Sequence, residues 1–236
     1  MEGKETVLRA HLQLFETLSD GEVVMRILDG DHALYELIMR RYNRRLFRLA
    51  YGILSNHLLA QDAVQEAYVN AFLHLDQFRG PDGFGAWLMK ITSRAAIRLA
   101  RKESGLHTVN VQIDNVDLVA EKAAEPEHAT INDEIVRLLE EAVDSLPRDF
   151  RVVLMLREFE GMNTDETARV LNLNPSTVKT RLHRAKGILR ARFKYRLDEI
   201  SPYAYPFAGT RCDAIVQKVF IRLKHLNNQA RPEGKS

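Results

Sequence analysis

The stretch NLNPSTVKTRLHRAKGILRARF, Asn172 to Phe193, holds six Lys or Arg and no acid. Like charges at i,i+4 spacing weaken a helix, and a solvated face normally mixes signs. A helix with this much uncompensated charge suits a partner that brings the negative charge, and a polyphosphate does so. The segment opens as a helix should, with Asn174 at the N-cap and Pro175 at the first helical position, where a missing N–H loses nothing. Just upstream, NTDETARVL is a short helix with a capping-box signal, Asn163 or Thr164 answered by Glu166 or Thr167. Only LNLN connects the two. A short helix, a tight turn and a basic second helix make a helix-turn-helix.

On a wheel of about 100° per residue, Val178, Leu182, Ala185, Leu189 and Phe193 share the core side. Opposite them lie Ser176, Thr180, His183, Arg184 and Gly187. Lys179 and Arg190 flank one edge, and Arg181 and Arg192 border the apolar face, where long stems reach toward phosphates. Hydroxyls, a histidine and an arginine at the centre suit base edges in a major groove, and Lys179, Arg181 and Lys186 suit the backbone. The competing explanation is a solvated basic face on an ordinary bundle helix.

A second basic helix is AWLMKITSRAAIRLARK. Leu88, Ile91, Ala95 and Leu99 form its apolar face, and Lys90, Arg94, Arg98 and Arg101 form a stripe on another side. Cations near aromatics suit unpaired bases, and the preceding loop FRGPDGFG supplies Phe78 and Phe84. Trp87 is read as core packing, the usual fate of a single tryptophan. Ahead of this helix, QDAVQEAYVNAFLHL puts Val64, Ala67, Tyr68, Ala71 and Leu75 on a core face. Asp62, Gln65 and Glu66 point away from it, and so do Val69 and Leu73. Two aliphatics among carboxylates either dock a protein partner or are covered by a neighbouring helix.

The whole chain reads as helix, so the expected fold is all-α: two helical domains, the second a helix-turn-helix, with a short helical C-terminal extension. The net charge of +2 conceals a segregation, because Ile113 to Ser145 carries ten acids against two bases. Two basic modules thus flank an acidic connector. The expected boundaries are an extension at 1–16, a first module at 17–103, a linker at 104–131, the second module at 132–195 and a tail at 196–236. In the tail, Cys212, Ile215, Val216, Val219, Phe220 and Leu223 recur at helical spacing. A lone helix of this length is marginal in water, so its apolar side needs a seat. The second module is the expected seat; a regulator or a larger partner is the alternative. Cys212 is read as packing rather than as a redox sensor.

One cysteine, no secretory-type leader and no membrane-length apolar run suit a cytoplasmic protein with no membrane partner. The eight histidines are scattered, and there is no His-Glu-x-x-His, phosphate-cradling loop or nucleophile elbow. No catalytic site, metal or cofactor is therefore expected.

Taken together, LAQDAVQEAYVNAFLHLDQFRG with FGAWLMKITSRAAIRLAR, and SLPRDFRVVLMLREFEGM with STVKTRLHRAKGILR, resemble the two domains of a bacterial extracytoplasmic-function (ECF) sigma factor. The likeness covers about residues 17–194. It implies a protein that binds RNA polymerase core and directs promoter-specific initiation. It implies that Asp62, Gln65, Glu66, Val69 and Leu73 face the clamp helices of the largest polymerase subunit, and that the second domain meets the flap. It implies that the loop ending at Phe84 and the helix bearing Lys90, Arg94, Arg98 and Arg101 handle the minus-ten element and strand separation. Thr180, His183 and Arg184, with Ser176, would read the minus-thirty-five element, with Lys179, Arg181 and Lys186 beside them. A regulator such as an anti-sigma factor is a further implied partner. The family commonly has Arg-Asn where this chain has Ser93-Arg94, and an acid where it has Arg98. The alternative is a conventional dimeric helix-turn-helix regulator, which would bind a palindrome without polymerase. The acidic connector is expected to pass through basic channels that otherwise hold nucleic acid. Neutralising the acids between Asp114 and Glu127 should then change open-complex formation and promoter escape in reconstituted transcription; unchanged kinetics would refute it.

Overall fold

The computed structural model describes residues 18–79, 83–103, 131–192, 205 and 209–230, with side chains described except at 131–135, 191–192 and 228–230. The expected extension at 1–16, nearly all of the acidic linker, and Phe193 lie outside the described residues, which contain helices and no strand.

Helix α1 (Asp20–Leu28) starts on a complete capping box, Ser19 with Glu22, and ends before Gly30, whose φ of 110° turns the chain. After a short 3-10 turn (His32–Leu34), α2 (Tyr35–Leu54) runs to Ser55 in the left-handed region. Asn56 then caps α3 (His57–Leu73) by accepting from the Leu59 N–H at 3.0 Å. Helix α4 (Phe84–Glu103) completes a bundle in which α2, α3 and α4 all pack on one another.

The expected core face of α3, Val64, Ala67, Tyr68, Ala71 and Leu75, is buried. Two buried tyrosines tie its backbone to that of α2. Tyr35 Oη donates to the Tyr68 carbonyl at 2.7 Å, and Tyr68 Oη donates to the Met39 carbonyl at 3.1 Å. Burial raises the pKa of both phenols. Where α4 crosses α2, Gly85 is required by space. A Cβ there would stand 2.8 Å from the Tyr42 ring, which is itself anchored by its hydroxyl to Asp20 at 2.5 Å.

The second module contains α5 (Ile131–Asp144), α6 (Arg148–Leu154) continuing through a π-type turn at Met155–Phe159, α7 (Thr164–Leu171) and α8 (Pro175–Arg192). Gly161, at φ 65°, lets the chain leave that turn. The capping box of α7 resolves to Asn163 with Glu166, and Asn172 in the left-handed region ends the helix. Val178, Ala185 and Leu189 seat α8 on α6 and α7.

The two modules touch, α2 against α6 and α4 against α7. The seam is polar and buried. Arg48 of α2 reaches Glu160 at 3.2 Å, Tyr51 Oη donates to Asp144 at 2.8 Å, and Arg151 Nε donates to the Gly52 carbonyl at 3.0 Å. Gly52 permits the approach, since a Cβ there would lie 3.2 Å from the Met155 side chain and 3.5 Å from the Val152 backbone.

The tail departs from expectation. Helix α9 (Thr210–Ala230) packs chiefly on α3 and α2 of the first module, where the second was expected as its seat. The expected apolar stripe is its seat: Cys212, Ile215, Val216 and Val219 are buried. The polar contacts at its start explain the choice, because α2 supplies matching groups. Arg40 pairs with Asp213 at 3.0 Å, and Asn43 Nδ2 lies 2.7 Å from Cys212 Sγ. Cys212 is thus buried packing, as read from the sequence.

His57 stacks on Phe47 and Tyr51, with ring centroids 5.6 and 4.6 Å away. Burial first, and then the positive charge of Arg211 on α9, lowers its pKa below the ordinary 6.5, with Asp144 opposing. The unfolded chain therefore takes up this proton more readily, and acid removes stability. The stability margin of the native chain over a His57→Gln variant should shrink from about pH 7 to about pH 5 in thermal denaturation. A margin independent of pH would contradict this.

Candidate nucleic-acid interface

Helix α8 is oriented by contacts on both flanks. Asn174 Oδ1 accepts from the Ser176 N–H at 3.3 Å, fixing the first turn. Arg181 pairs with Asp149 of α6, and Lys186 pairs with Glu158 of the π-type turn at 2.7 Å. With those two side chains turned inward, the outward row is Ser176, Lys179, Thr180, His183 and Arg184, all exposed. The Thr180 hydroxyl donates to the Ser176 carbonyl at 2.9 Å, so its lone pairs face out. The row therefore offers hydroxyls, an imidazole and a guanidinium between cations, which suits base edges at the centre and phosphates at the sides. Arg181 and Lys186, expected on phosphates, are here half-buried and spent on positioning the helix. The compensating charge for each is the fold's own carboxylate, Asp149 or Glu158.

The stripe on α4 is a continuous exposed surface: Lys90, Arg94, Arg98 and Arg101. Arg98 crosses to Glu66 of α3, so this cation is shared with the carboxylate row next to it. Ser93, beside Arg94, is buried and takes no part in the surface. Phe84 is a correction. Expected at the surface to stack on bases, it is 4% exposed and forms an aromatic cluster. Its ring lies 6.0 Å from Tyr42, 5.3 Å from Phe78 and 5.4 Å from Trp87. An aromatic at a helix start above a bundle gains more from its neighbours than from water. Phe78 and Trp87 are half-buried at the rim of the same cluster, consistent with Trp87 as packing.

On α3, Asp62 is exposed, Glu66 holds Arg98, and Leu73 is 52% exposed. Val69 is the second correction: expected on the outward face of α3, it is only 4% exposed and belongs to the buried core. Beside it Gln65 is half-buried, and its amide nitrogen has no hydrogen-bond partner among the described residues.

Sequence reasoning missed the seam. Burial lowers the pKa of Arg48, with Glu160 offsetting it, and burial lowers that of Arg151, with Asp144 offsetting it. Burial raises Asp144 despite hydrogen bonds from Tyr205 and Tyr51, and it raises Glu140 despite the Tyr205 N–H. The available signal was an arginine set inside the apolar run Leu46–Leu54.

Comparison with known proteins fits this geometry. The family model described as Sigma-70 region 2 matches residues 38–105, and the one described as Sigma-70, region 4, matches residues 137–189. The RNA polymerase sigma-H factor of Pseudomonas aeruginosa is 30% identical over 173 residues, covering 71% of this chain and 90% of the relative. The ECF RNA polymerase sigma-E factor of Escherichia coli K12 is 27% identical over 177 residues, covering 72% and 92%. A solved structure of CnrH in complex with the cytosolic domain of CnrY shares the fold, with a TM-score of 0.51 at 24% identity over 73% of this chain and 96% of that one. The family models stop short of the tail.

If Phe84 is core, Phe84→Ala should cost about 3–5 kcal/mol of stability in chemical denaturation. A surface stacking residue would lose DNA binding with stability intact, and that result would restore the first expectation.

Proposed function

The chain belongs to the ECF group of RNA polymerase sigma factors, which direct promoter-specific transcription initiation, and on that premise we propose how its surfaces divide the work. The helix-turn-helix module reads the minus-thirty-five element through Thr180, His183 and Arg184, with Ser176 at the helix start and Lys179 on a phosphate. Arg181 and Lys186 position this helix. The observation that carries the reading is the exposed row on α8, held outward by the Asn174 cap and by inward ion pairs on its flanks.

The α4 stripe, Lys90, Arg94, Arg98 and Arg101, handles the minus-ten region, with Phe78 and Trp87 at its rim as the aromatic surface nearest to it. Asp62, Gln65, Glu66, Val69 and Leu73 of α3 receive the clamp helices of core polymerase, and the second module meets the flap. The modules run as 17–103 and 132–195, and the protein acts in the cytoplasm without catalysis of its own. No helix among the described residues is long and apolar enough to cross a membrane. A protein regulator that restrains the free chain belongs to the same reading. No cofactor takes part.

Run-off transcription with core polymerase on a promoter library tests the assignment. Replacing Thr180 and Arg184 by alanine should lower output from the preferred minus-thirty-five sequence by about 1–3 kcal/mol per lost base contact, and relax selection at those positions. Lys179→Ala should weaken all promoters alike and reduce the salt slope by about one. Unaltered promoter choice in the first variant would remove α8 as the reader.

A further inference from the structure

Three observations converge on the tail. First, α9 lies along α3 and α2. Around α3, the α2 side is marked by Tyr35 on Tyr68, and the α4 side by Arg98 on Glu66. By helical spacing Val69 lies well off the α3 core face of Val64, Tyr68 and Ala71, yet it is buried, and α9 is a further helix packed on α3. Second, the seat is specific. Ile215 and Val219 are wholly buried, and Arg40–Asp213 and Asn43–Cys212 fix the register.

Third, the chain just ahead of α9 is bolted to both modules by Tyr205. Its N–H donates to Glu140 at 2.5 Å, and its hydroxyl, 2.8 Å from Asp144 Oδ1 and 3.1 Å from the Glu140 carbonyl, holds α5. Its own carbonyl accepts from Arg48 of α2 at 3.4 Å. Its ring packs on Tyr51 of α2 and on Phe159 of the π-type turn, with centroids 5.0 and 5.9 Å away. Tyr205 adopts φ 52°, a left-handed conformation that a bulky residue holds only when its surroundings impose it.

We propose that α9 occupies, in cis, part of the α3 surface through which the chain docks on core polymerase, and that Tyr205 bolts it there while clamping the two modules shut. This rests on the sigma-factor reading and on the assignment of α3 to polymerase. Core polymerase and α9 then compete for the face containing Gln65 and Val69. The Gln65 amide nitrogen, buried with no hydrogen-bond partner among the described residues, is a group that exchange of α9 for polymerase could satisfy. Apparent affinity for polymerase falls by the fraction of chains in which α9 is lifted.

The native chain has one cysteine, so Asn43→Cys in the full chain offers a single disulfide, to Cys212, at a contact where the present side chains meet at 2.7 Å. Oxidised and reduced forms are titrated against core polymerase. The oxidised form should bind at least about tenfold more weakly, and reductant should restore the native affinity. Equal affinity in the two forms would overturn the proposal. Where no disulfide forms, Val219→Asp alone decides, since cysteine is shorter than the asparagine it replaces. If the reduced variant does not match the native chain, Val219→Asp decides. Binding tighter than native supports the latch, and binding equal or weaker refutes it. If neither the native chain nor Val219→Asp binds core polymerase, the sigma-factor reading fails and the latch fails with it.

Discussion

The closed arrangement depends on the buried ion pair between Arg48 and Glu160, whose side chains are 2% and 5% exposed. Removing either partner alone strands a charge in a low-dielectric seam, which typically costs about 3–5 kcal/mol. Separating the modules as bodies is a different event. Both ions then return to water together, and their hydration offsets the lost attraction. The same holds for Asp144, whose hydrogen bonds from Tyr51 and Tyr205 compete with a desolvation that keeps its pKa raised. A seam with buried ions at its centre is intolerant of point substitution, while its opening returns those ions to water together. That combination suits a protein whose two surfaces must first be kept together and then used apart.

Much of this architecture was legible in the sequence because it rests on local rules. Asn163 with Glu166, and Asn174 with Pro175, announce the two helices of the DNA-reading module, and the caps form where the pattern put them. The apolar spacing of Val178, Ala185 and Leu189 fixed which side of α8 would be buried, and hence which residues would face out. Sites that depend on long-range partners were not legible. The wheel put Arg181 nearer the apolar border than Lys179, but that Arg181 pairs with Asp149 while Lys179 stays exposed is set by how α6 passes α8. Phe84 sits in a glycine-rich loop that reads as exposed, but Gly85 lets α4 approach Tyr42 so closely that the ring is enclosed. Val69 looked free because its spacing puts it off the core face of α3, yet it is buried in the folded chain, where α9, far along the sequence, also packs on α3.

The minus-thirty-five and minus-ten elements are, by their names, about 25 base pairs apart, or about 85 Å of duplex at about 3.4 Å per step. In the closed chain α4 touches α7, and α7 touches α8, so the helices that carry the two candidate DNA surfaces are bridged by the single helix α7. They cannot serve both elements without parting. The 27 residues between Glu103 and Ile131 reach at most about 90–97 Å when fully extended. That upper bound is of the same order as the distance between the two elements.

It follows that the contacts to be broken are those crossing the seam and those made by the tail, and they are not independent. Arg48 donates to Glu160, to the Phe159 carbonyl and to the Tyr205 carbonyl, while Asp144 accepts from both Tyr51 and Tyr205. Lifting Tyr205 therefore leaves Asp144 with one donor fewer and exposes the flank of Arg48 to water, which weakens the seam from its edge. Conversely, parting α2 from α5 and α6 pulls Tyr205 away from one of its two anchorages. Polymerase displacing α9 from α3 and DNA drawing the modules apart thus act on the same buried groups. Either event lowers the free energy required for the other, as reciprocal coupling through a shared two-state element demands.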